Sequence, residues 1–281
     1  MKDALVLGTF DGLHKGHQNV IESVNGYNIQ AITFKIPPKS VLNGKTELLM
    51  TYEDKVKALK SFGVYDVVAF EFDDVCDMQS DDFLQLLYNK YRPSAIACGF
   101  NYRFGKNAKG DTQSLSKFCN DKKIDFFCCS ETLIDDKTLS STFIRQLIKD
   151  GKMNIAKDFI YGGFGFDGEV IHGDERGRQI GFPTINQVYP DLLVRPKFGV
   201  YKSTVVVDGK QYQSITNIGI RPTYKTANVM CETHIFNFSE NLYGKTVKIR
   251  LKNFLREEKR FNSIIQLKEQ IENDVKSLTI C

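Results

Sequence analysis

The chain has 281 residues, 42% hydrophobic and 26% charged, enough for two ordinary domains with separate cores and too evenly mixed for wholesale disorder. Its formal charge of +4 is small for that length and comes without a Lys/Arg block, which argues against a nucleic-acid partner and leaves anionic small substrates open. No apolar run approaches the roughly 18 residues of a membrane span. The seven cysteines form no C-x-x-C pair, so the reduced thiols of a soluble cytoplasmic protein are expected rather than a disulfide framework or a zinc site.

In chain order, the opening segment up to Gly8 is one short apolar run soon followed by Asp11, too short for the apolar region of a signal peptide, and it reads as a buried strand. Up to about residue 150, Leu5–Leu7, Ile29–Phe34, Asp66–Phe70, Ala95–Cys98 and Ile124–Cys129 read as strands. Between them Gly16–Val24, Tyr52–Phe62, Ser80–Tyr91 and Thr112–Asn120 repeat apolar residues at helical steps, as at Val56, Leu59 and Phe62. Ser80, followed by Asp81 and Asp82, is expected to cap its helix. Such alternation predicts a parallel sheet covered by helices, with ligands at the carboxyl ends of the strands.

After about residue 160 turn residues become frequent and strands alternate with period two: Tyr201–Val207 with the Asp208-Gly209 turn, Tyr212–Asn217, Cys231–Phe238 and Thr246–Leu251. Helical periodicity returns only at Ser263–Leu278. The pattern predicts a closed or nearly closed antiparallel barrel with one terminal helix. The domains are placed at 1–155 and 156–281.

Gly8-Thr9-Phe10-Asp11-Gly12-Leu13-His14-Lys15-Gly16-His17 runs from the first strand into the first helix. Backbone N–H groups at such a junction, with the positive end of the helix, make a phosphate site. His14 and His17, three apart, fall on one face of the first turn, where both imidazoles can donate to phosphate oxygens. The stretch resembles the HxGH nucleotidylyltransferases, in the form found in the adenylyltransferase half of bacterial bifunctional riboflavin kinase/FAD synthetases. Leu139-Ser140-Ser141-Thr142-Phe143-Ile144-Arg145 matches that family's second ATP motif.

The resemblance implies a Rossmann-like α/β nucleotidylyltransferase domain with ATP as co-substrate and FMN as acceptor. Gly8, Phe10, Asp11, Gly16 and Asn101 would lie at the nucleotide, His14 and His17 would stabilise charge on the α-phosphate, and Ser141, Thr142 and Arg145 would hold the other phosphates. FMN brings its own anionic nucleophile, so preorganised donors suffice and no general base is needed. Two segments depart from the family. Its T-F-x-P-H-P appears as Thr33-Phe34-Lys35-Ile36-Pro37-Pro38, and its G-x-D-F-x-F-G as Gly99-Phe100-Asn101-Tyr102-Arg103-Phe104-Gly105.

In the second half, Gly173, Gly177 and Gly181 with Arg176 and Arg178 form a loop suited to phosphates, followed by Phe182-Pro183-Thr184-Ile185-Asn186. Thr184 and Asn186 lie two apart, so an extended strand points both to one face, where hard oxygens suit Mg²⁺ bridging ATP phosphates. The segment resembles the G-x-G-R-x-x-G-F-P-T-A-N motif of riboflavin kinases. That resemblance continues through Asn217-Ile218-Gly219, Cys231-Glu232-Thr233-His234-Ile235 and Leu255-Arg256-Glu257. It implies Glu232 as general base on the ribityl hydroxyl of riboflavin. Arg256 and Phe261 are assigned to the flavin, while Tyr201 and Tyr243 suit the barrel core; His172 and His234 are read as structural.

Three readings stay open at this point. They are an enzyme making FMN and then FAD, a riboflavin kinase with impaired adenylyl transfer, and a flavin- or nucleotide-binding regulator without catalysis.

Overall fold

Alternating strands and helices in the first half build a five-stranded parallel sheet. The computed structural model describes all residues except 1, 43, 45, 174–176, 178–180, 223–226 and 277–281. Arg176 and Arg178 therefore lie outside the described residues. The chain divides into two compact units, Met1–Ile144 with Phe159–Tyr161, and Arg145–Asp158 with Gly162–Cys281.

The first unit carries β1 (Asp3–Leu7), α1 (Lys15–Glu22), β2 (Asn28–Phe34), α2 (Pro38–Leu42), α3 (Tyr52–Ser61), β3 (Val64–Phe70), α4 (Phe72–Val75), α5 (Ser80–Tyr91), β4 (Ala95–Gly99), α6 (Thr112–Lys122) and β5 (Asp125–Cys129). A small hairpin, β6 (Leu133–Ile134) with β7 (Lys137–Thr138), precedes α7 (Ser141–Lys149). The sheet order is β3-β2-β1-β4-β5. Apart from its first residue, β1 is buried throughout, as is the interior of β2, because helices cover both faces. Chain direction of assembly reverses between β1 and β4, and the crevice at their carboxyl ends is where such sheets bind ligands.

Helix starts follow side-chain chemistry in part. Thr51 caps α3 by accepting from the Asp54 N–H at 3.2 Å, and Asp111 with Ser114 forms a capping box on α6. Ser80, expected as a cap, is instead the first helical residue of α5; Gln79 holds the cap position without a side-chain bond. The acids Asp81 and Asp82 still lie in the first turn, where the helix dipole favours them.

The second unit contains α8 (Met153–Phe159, whose last residue is counted in the first unit), β8 (Gly165–Glu169), β9 (Ile185–Val188), β10 (Gly199–Val207), β11 (Lys210–Pro222), β12 (Ala227–Ile235), β13 (Thr246–Arg256) and α9 (Ile264–Lys276). Its six strands run β8-β13-β10-β11-β12-β9, all antiparallel. The two outer strands are joined by Gln187, fully buried, whose Nε2 donates to Gly168 O on β8 at 2.5 Å and to Val247 O on β13 at 3.0 Å. A bridge between Ile171 and Asn186 adds to this seam, so the barrel is nearly closed.

The barrel interior is partly polar. Ser214, Ser203, Thr216 and Thr233 are fully buried and linked in a chain of hydroxyl contacts of 2.7–2.8 Å across β10, β11 and β12. Each link satisfies a group whose burial alone would be costly. Tyr201 belongs to this core, with its ring edge against Phe254 and its hydroxyl donating to Lys197 O.

Candidate active sites

The loop after β1 bends sharply before α1. Phe10 (φ 51°) and Leu13 (φ 38°) both adopt left-handed backbone and are fully buried. Strain of roughly 1–3 kcal/mol per such residue persists only where the surroundings over-determine it. Here they do: Thr9 O accepts from Thr33 Oγ1 at 3.1 Å and Lys55 Nζ at 3.3 Å, and Asp11 Oδ1 accepts the Leu49 N–H at 2.9 Å.

His14 is the N-cap of α1 and His17 lies three residues on. Their rings stack with centroids 3.8 Å apart, and the edge of Phe10 meets His17 at 5.4 Å. A side chain at position 16 would press on the His14 ring at 3.2 Å, so the glycine between the histidines permits the stack. Burial lowers the His17 pKa, and the charges of His14 and Lys55 lower it further, which favours a neutral imidazole.

Lys55 on α3 was not among the expected site residues. It is 3% exposed, and besides Thr9 O it donates to Phe34 O at 2.5 Å, which ties together the ends of β1 and β2. Burial pulls its pKa down to about 8, against the opposing pull of Asp11. A sequence signal for it exists: Lys55, Ala58 and Leu59 form the buried stripe of α3, so a lysine occupies an apolar position.

Ser141 starts α7, and its hydroxyl donates to Asp11 O at 2.9 Å, joining the second motif to the first. What it offers a phosphate is therefore the N–H end of the helix rather than its hydroxyl proton. Thr142 follows in the same turn, and Arg145 is one turn along the same helix. Gly8 closes β1, and Asn101 lies exposed in the turn after β4, at the carboxyl end of the strand beside β1.

In the barrel, register does what spacing alone did not reveal. Asn186 on β9 stands opposite Glu232 on β12, and Glu232 opposite Asn217 on β11. Asn217 stands opposite Val200 on β10, which stands opposite Arg256 on β13. Directly opposed residues of antiparallel strands share a face. The expected metal ligand, base and flavin residue thus lie in one row across five strands.

That row opens into a cavity of about 210 Å³ whose lining includes Thr184, Asn217, Glu232, Arg256, Phe261 and residues of α9. Gly173 lies directly over Asn186, where a Cβ would overlap the amide, and a Cβ on Gly177 would overlap Phe182 O and meet Thr184 Oγ1 at 3.4 Å. The backbone at Gly173 and Gly177 therefore approaches Asn186 and Thr184 more closely than a side chain at either position would allow. His234 Nδ1 lies 2.8 Å from Pro183 O, which positions the Phe182-Pro183-Thr184 segment; burial lowers its pKa against this bond. His172 stacks on Tyr243 at 3.8 Å, so Tyr243 serves that stack and not the barrel core.

Arg256 is already engaged: Nε and one terminal nitrogen bind Asp274 of α9 at 3.0 and 2.7 Å, and the other donates to Glu257 O at 3.1 Å. Its guanidinium carbon is 6.0 Å from the Phe261 ring centre. All three of its guanidinium nitrogens are thus engaged, which holds the fork in one plane.

Comparison with known proteins covers both units. Residues 1–143 match the FAD synthetase model and residues 163–280 the riboflavin kinase model. The bifunctional riboflavin kinase/FMN adenylyltransferase of Bacillus subtilis is 31% identical over 97% of this chain and 90% of its own. The chain belongs to the bifunctional riboflavin kinase/FMN adenylyltransferase family. The family member of Escherichia coli K12 is 31% identical over 96% of this chain and 90% of its own. A crystal structure of a Streptococcus pneumoniae protein named for macrolide efflux aligns over 98% of this chain and 93% of its own, with TM-score 0.88 and 28% identity. Efflux is said of that protein; among the described residues here no helix is long and apolar enough to cross a membrane. The domain order of the family follows the order of the two constellations along the chain, with the stacked histidines in the part matched to FAD synthetase and Glu232 in the part matched to riboflavin kinase.

Proposed function

We propose that this chain phosphorylates riboflavin to FMN with ATP and then adenylylates FMN to FAD with release of pyrophosphate. The observation that carries the reading is the row Asn186–Glu232–Asn217–Arg256 in the unit matched to riboflavin kinase, of which Glu232, Asn217 and Arg256 line one cavity together with Thr184. The adenylyltransferase is assigned to residues 1–155, the kinase to 156–281, and the site of action to the cytoplasm.

In the kinase, Thr184 Oγ1 and Asn186 Oδ1 are hard oxygen donors beneath a backbone cradle, a set that fits Mg²⁺. That ion would neutralise charge on the ATP phosphates. Glu232 accepts the proton of the terminal ribityl hydroxyl as the γ-phosphoryl group arrives, and the glycines at 173 and 177 bring backbone N–H groups close to the phosphates. The Arg256 guanidinium, paired with Asp274, and the Phe261 ring would give the isoalloxazine a cationic and an aromatic flat surface to stack on.

In the adenylyltransferase, a neutral His17 donates one N–H toward the α-phosphate without carrying a buried charge of its own. His14, the helix N-termini of α1 and α7, and Arg145 complete the donors for the departing pyrophosphate. Lys55 positions this arrangement by holding the ends of β1 and β2 together.

Incubation of the purified chain with riboflavin, ATP and Mg²⁺, with separation of the flavins, tests the reading: FMN and FAD should both form. A second reading, kinase activity with slow adenylyl transfer, draws on Pro37 where the family has His and on the exposed Asn101 where it has Asp. It is distinguished by FMN accumulating alone. Formation of neither flavin would leave the binder.

A further inference from the structure

Asn217 has no part in the chemistry above, yet it occupies the centre of the kinase row. It stands directly opposite Glu232 and lines the same cavity. Its Nδ2 donates to Glu258 Oε1 at 3.1 Å. A carboxylate only accepts, so this bond fixes which branch of the amide carries nitrogen and which carries oxygen. The remaining branch, Oδ1, is sealed from solvent and has no hydrogen-bond partner.

A buried acceptor left without a donor costs free energy, which Ser203, Ser214, Thr216 and Thr233 avoid by mutual hydroxyl contacts. Gln187 Oε1 and Thr204 Oγ1 of the barrel are also without a partner, but of these three residues Asn217 alone lines the cavity. An unpaired acceptor in a cavity wall beside a proposed base is therefore a place where a ligand donor belongs. Opposed residues in an antiparallel pair hold their Cβ atoms about 5 Å apart. With the terminal ribityl hydroxyl at Glu232, a hydroxyl one or two carbons back along the same chain falls within that span.

Resting on the kinase reading above, we infer that Asn217 is a specificity-determining residue: its Oδ1 accepts a hydrogen bond from the 3′- or 4′-hydroxyl of the ribityl chain. The site then recognises a polyol by two points, Glu232 at the reacting hydroxyl and Asn217 behind it, and Glu258 keeps the amide turned the right way. The contact exists before and during phosphoryl transfer, so it acts mainly on KM rather than kcat.

The test compares kcat/KM for riboflavin, 3′-deoxyriboflavin and 4′-deoxyriboflavin in the full chain and in Asn217→Ala, Asn217→Val and Asn217→Ser. The unaltered chain should reject one of the two analogues by about tenfold, the worth of a single neutral hydrogen bond. Asn217→Ala should use riboflavin and that analogue equally well, with the change in KM. Asn217→Val, whose β-branched side chain suits a strand, reads the same loss should the alanine variant fold poorly. Asn217→Ser, which restores an acceptor, should recover part of the discrimination. Discrimination that survives in both Ala and Val variants would overturn the inference and leave the kinase intact, as would an unaltered chain that accepts both analogues as readily as riboflavin. No FMN from riboflavin in the unaltered chain would overturn the kinase reading and this inference with it.

Discussion

Glu232→Gln isolates the proposed proton acceptor with little other disturbance. The substitution keeps the length and planarity of the side chain between Asn186 and Asn217, so the row across β9, β12 and β11 should persist. What it removes is a basic oxygen. A positioned general base is worth roughly 10²–10⁴ in rate, about 3–5 kcal/mol in the barrier. Phosphoryl transfer passes through a loose transition state in which the attacking hydroxyl keeps its proton until late, which places the expected loss toward the lower end, about 10²-fold in kcat. KM for riboflavin and ATP should change little. Two other carboxylates line the cavity: Asp274 is bound to Arg256, and Glu258 is bound to Asn217. Among the described residues Glu258 is the rival base, and Glu258→Gln measured beside it should cost less than tenfold. The assay follows FMN formation from riboflavin, with adenylyl transfer from supplied FMN in the same preparation as the control for folded protein. If Glu232→Gln turns over within about threefold of the unaltered chain, or if Glu258→Gln shows the larger loss, Glu232 is not the base.

Replacing His17 by Ala should slow FAD formation from FMN by about 10²–10³-fold, the range for loss of one preorganised donor, with FMN formation unchanged; equal FAD rates would remove the histidine from the mechanism. Lys55 carries a pH signature: its native pKa of about 8 lies below its ordinary 10.5, so the unfolded chain binds more protons between those values and stability gains as pH rises through that window. The stability difference between Lys55→Met and the unaltered chain, followed by thermal unfolding, should therefore change between about pH 8 and 10.5 by up to roughly 3 kcal/mol in favour of the lysine, and a pH-independent difference would contradict the assignment. Asp274→Ala should strip Arg256 of its partner at a cost of about 3–5 kcal/mol if the pair is as enclosed as its 16% and 7% side-chain exposures indicate; unfolding should come earlier, KM for riboflavin should rise, and an unchanged KM would detach α9 from the flavin site.

The elements that sequence patterning identifies are those whose residues see one environment along their length. β1 and β4 are buried on both faces and read as short apolar runs, β2 is as deeply buried but carries Gln30 and Thr33 among its apolar residues, and α5 and α6 turn one stripe inward. β8 escapes notice, and β9 is anticipated only as an extended stretch at Thr184 and Asn186, for a physical reason. Gly165-Phe166-Asp167-Gly168-Glu169 has little side-chain pattern, because a Cβ at Gly165 would overlap Ile249 O of the neighbouring strand. β9 is four residues long and is defined by its register with β12 rather than by composition. The hairpin of β6 and β7 is shorter still. Alternation is read over roughly four to eight residues, so a two-residue strand carries no periodic signal and a four-residue one barely any.

The same reasoning separates the site residues that motifs expose from those that only packing exposes. His14 and His17 reveal themselves because three-residue spacing at a strand-to-helix junction has a local geometric meaning, which their 3.8 Å stack fulfils. Thr184 and Asn186 do so because two-residue spacing on a strand puts both on one face. Glu232 and Asn217 are fifteen residues apart by number, and only the pairing of β11 with β12 makes them neighbours. Lys55 lies further out of reach, since its role comes from two backbone carbonyls, Thr9 O and Phe34 O, that no side-chain pattern encodes. A charged residue inside an apolar stripe is nevertheless a local contradiction, and a folded chain tolerates such a contradiction where it serves a site. In α3 that contradiction, Lys55 beside Ala58 and Leu59, marks the helix turn that faces the loop after β1.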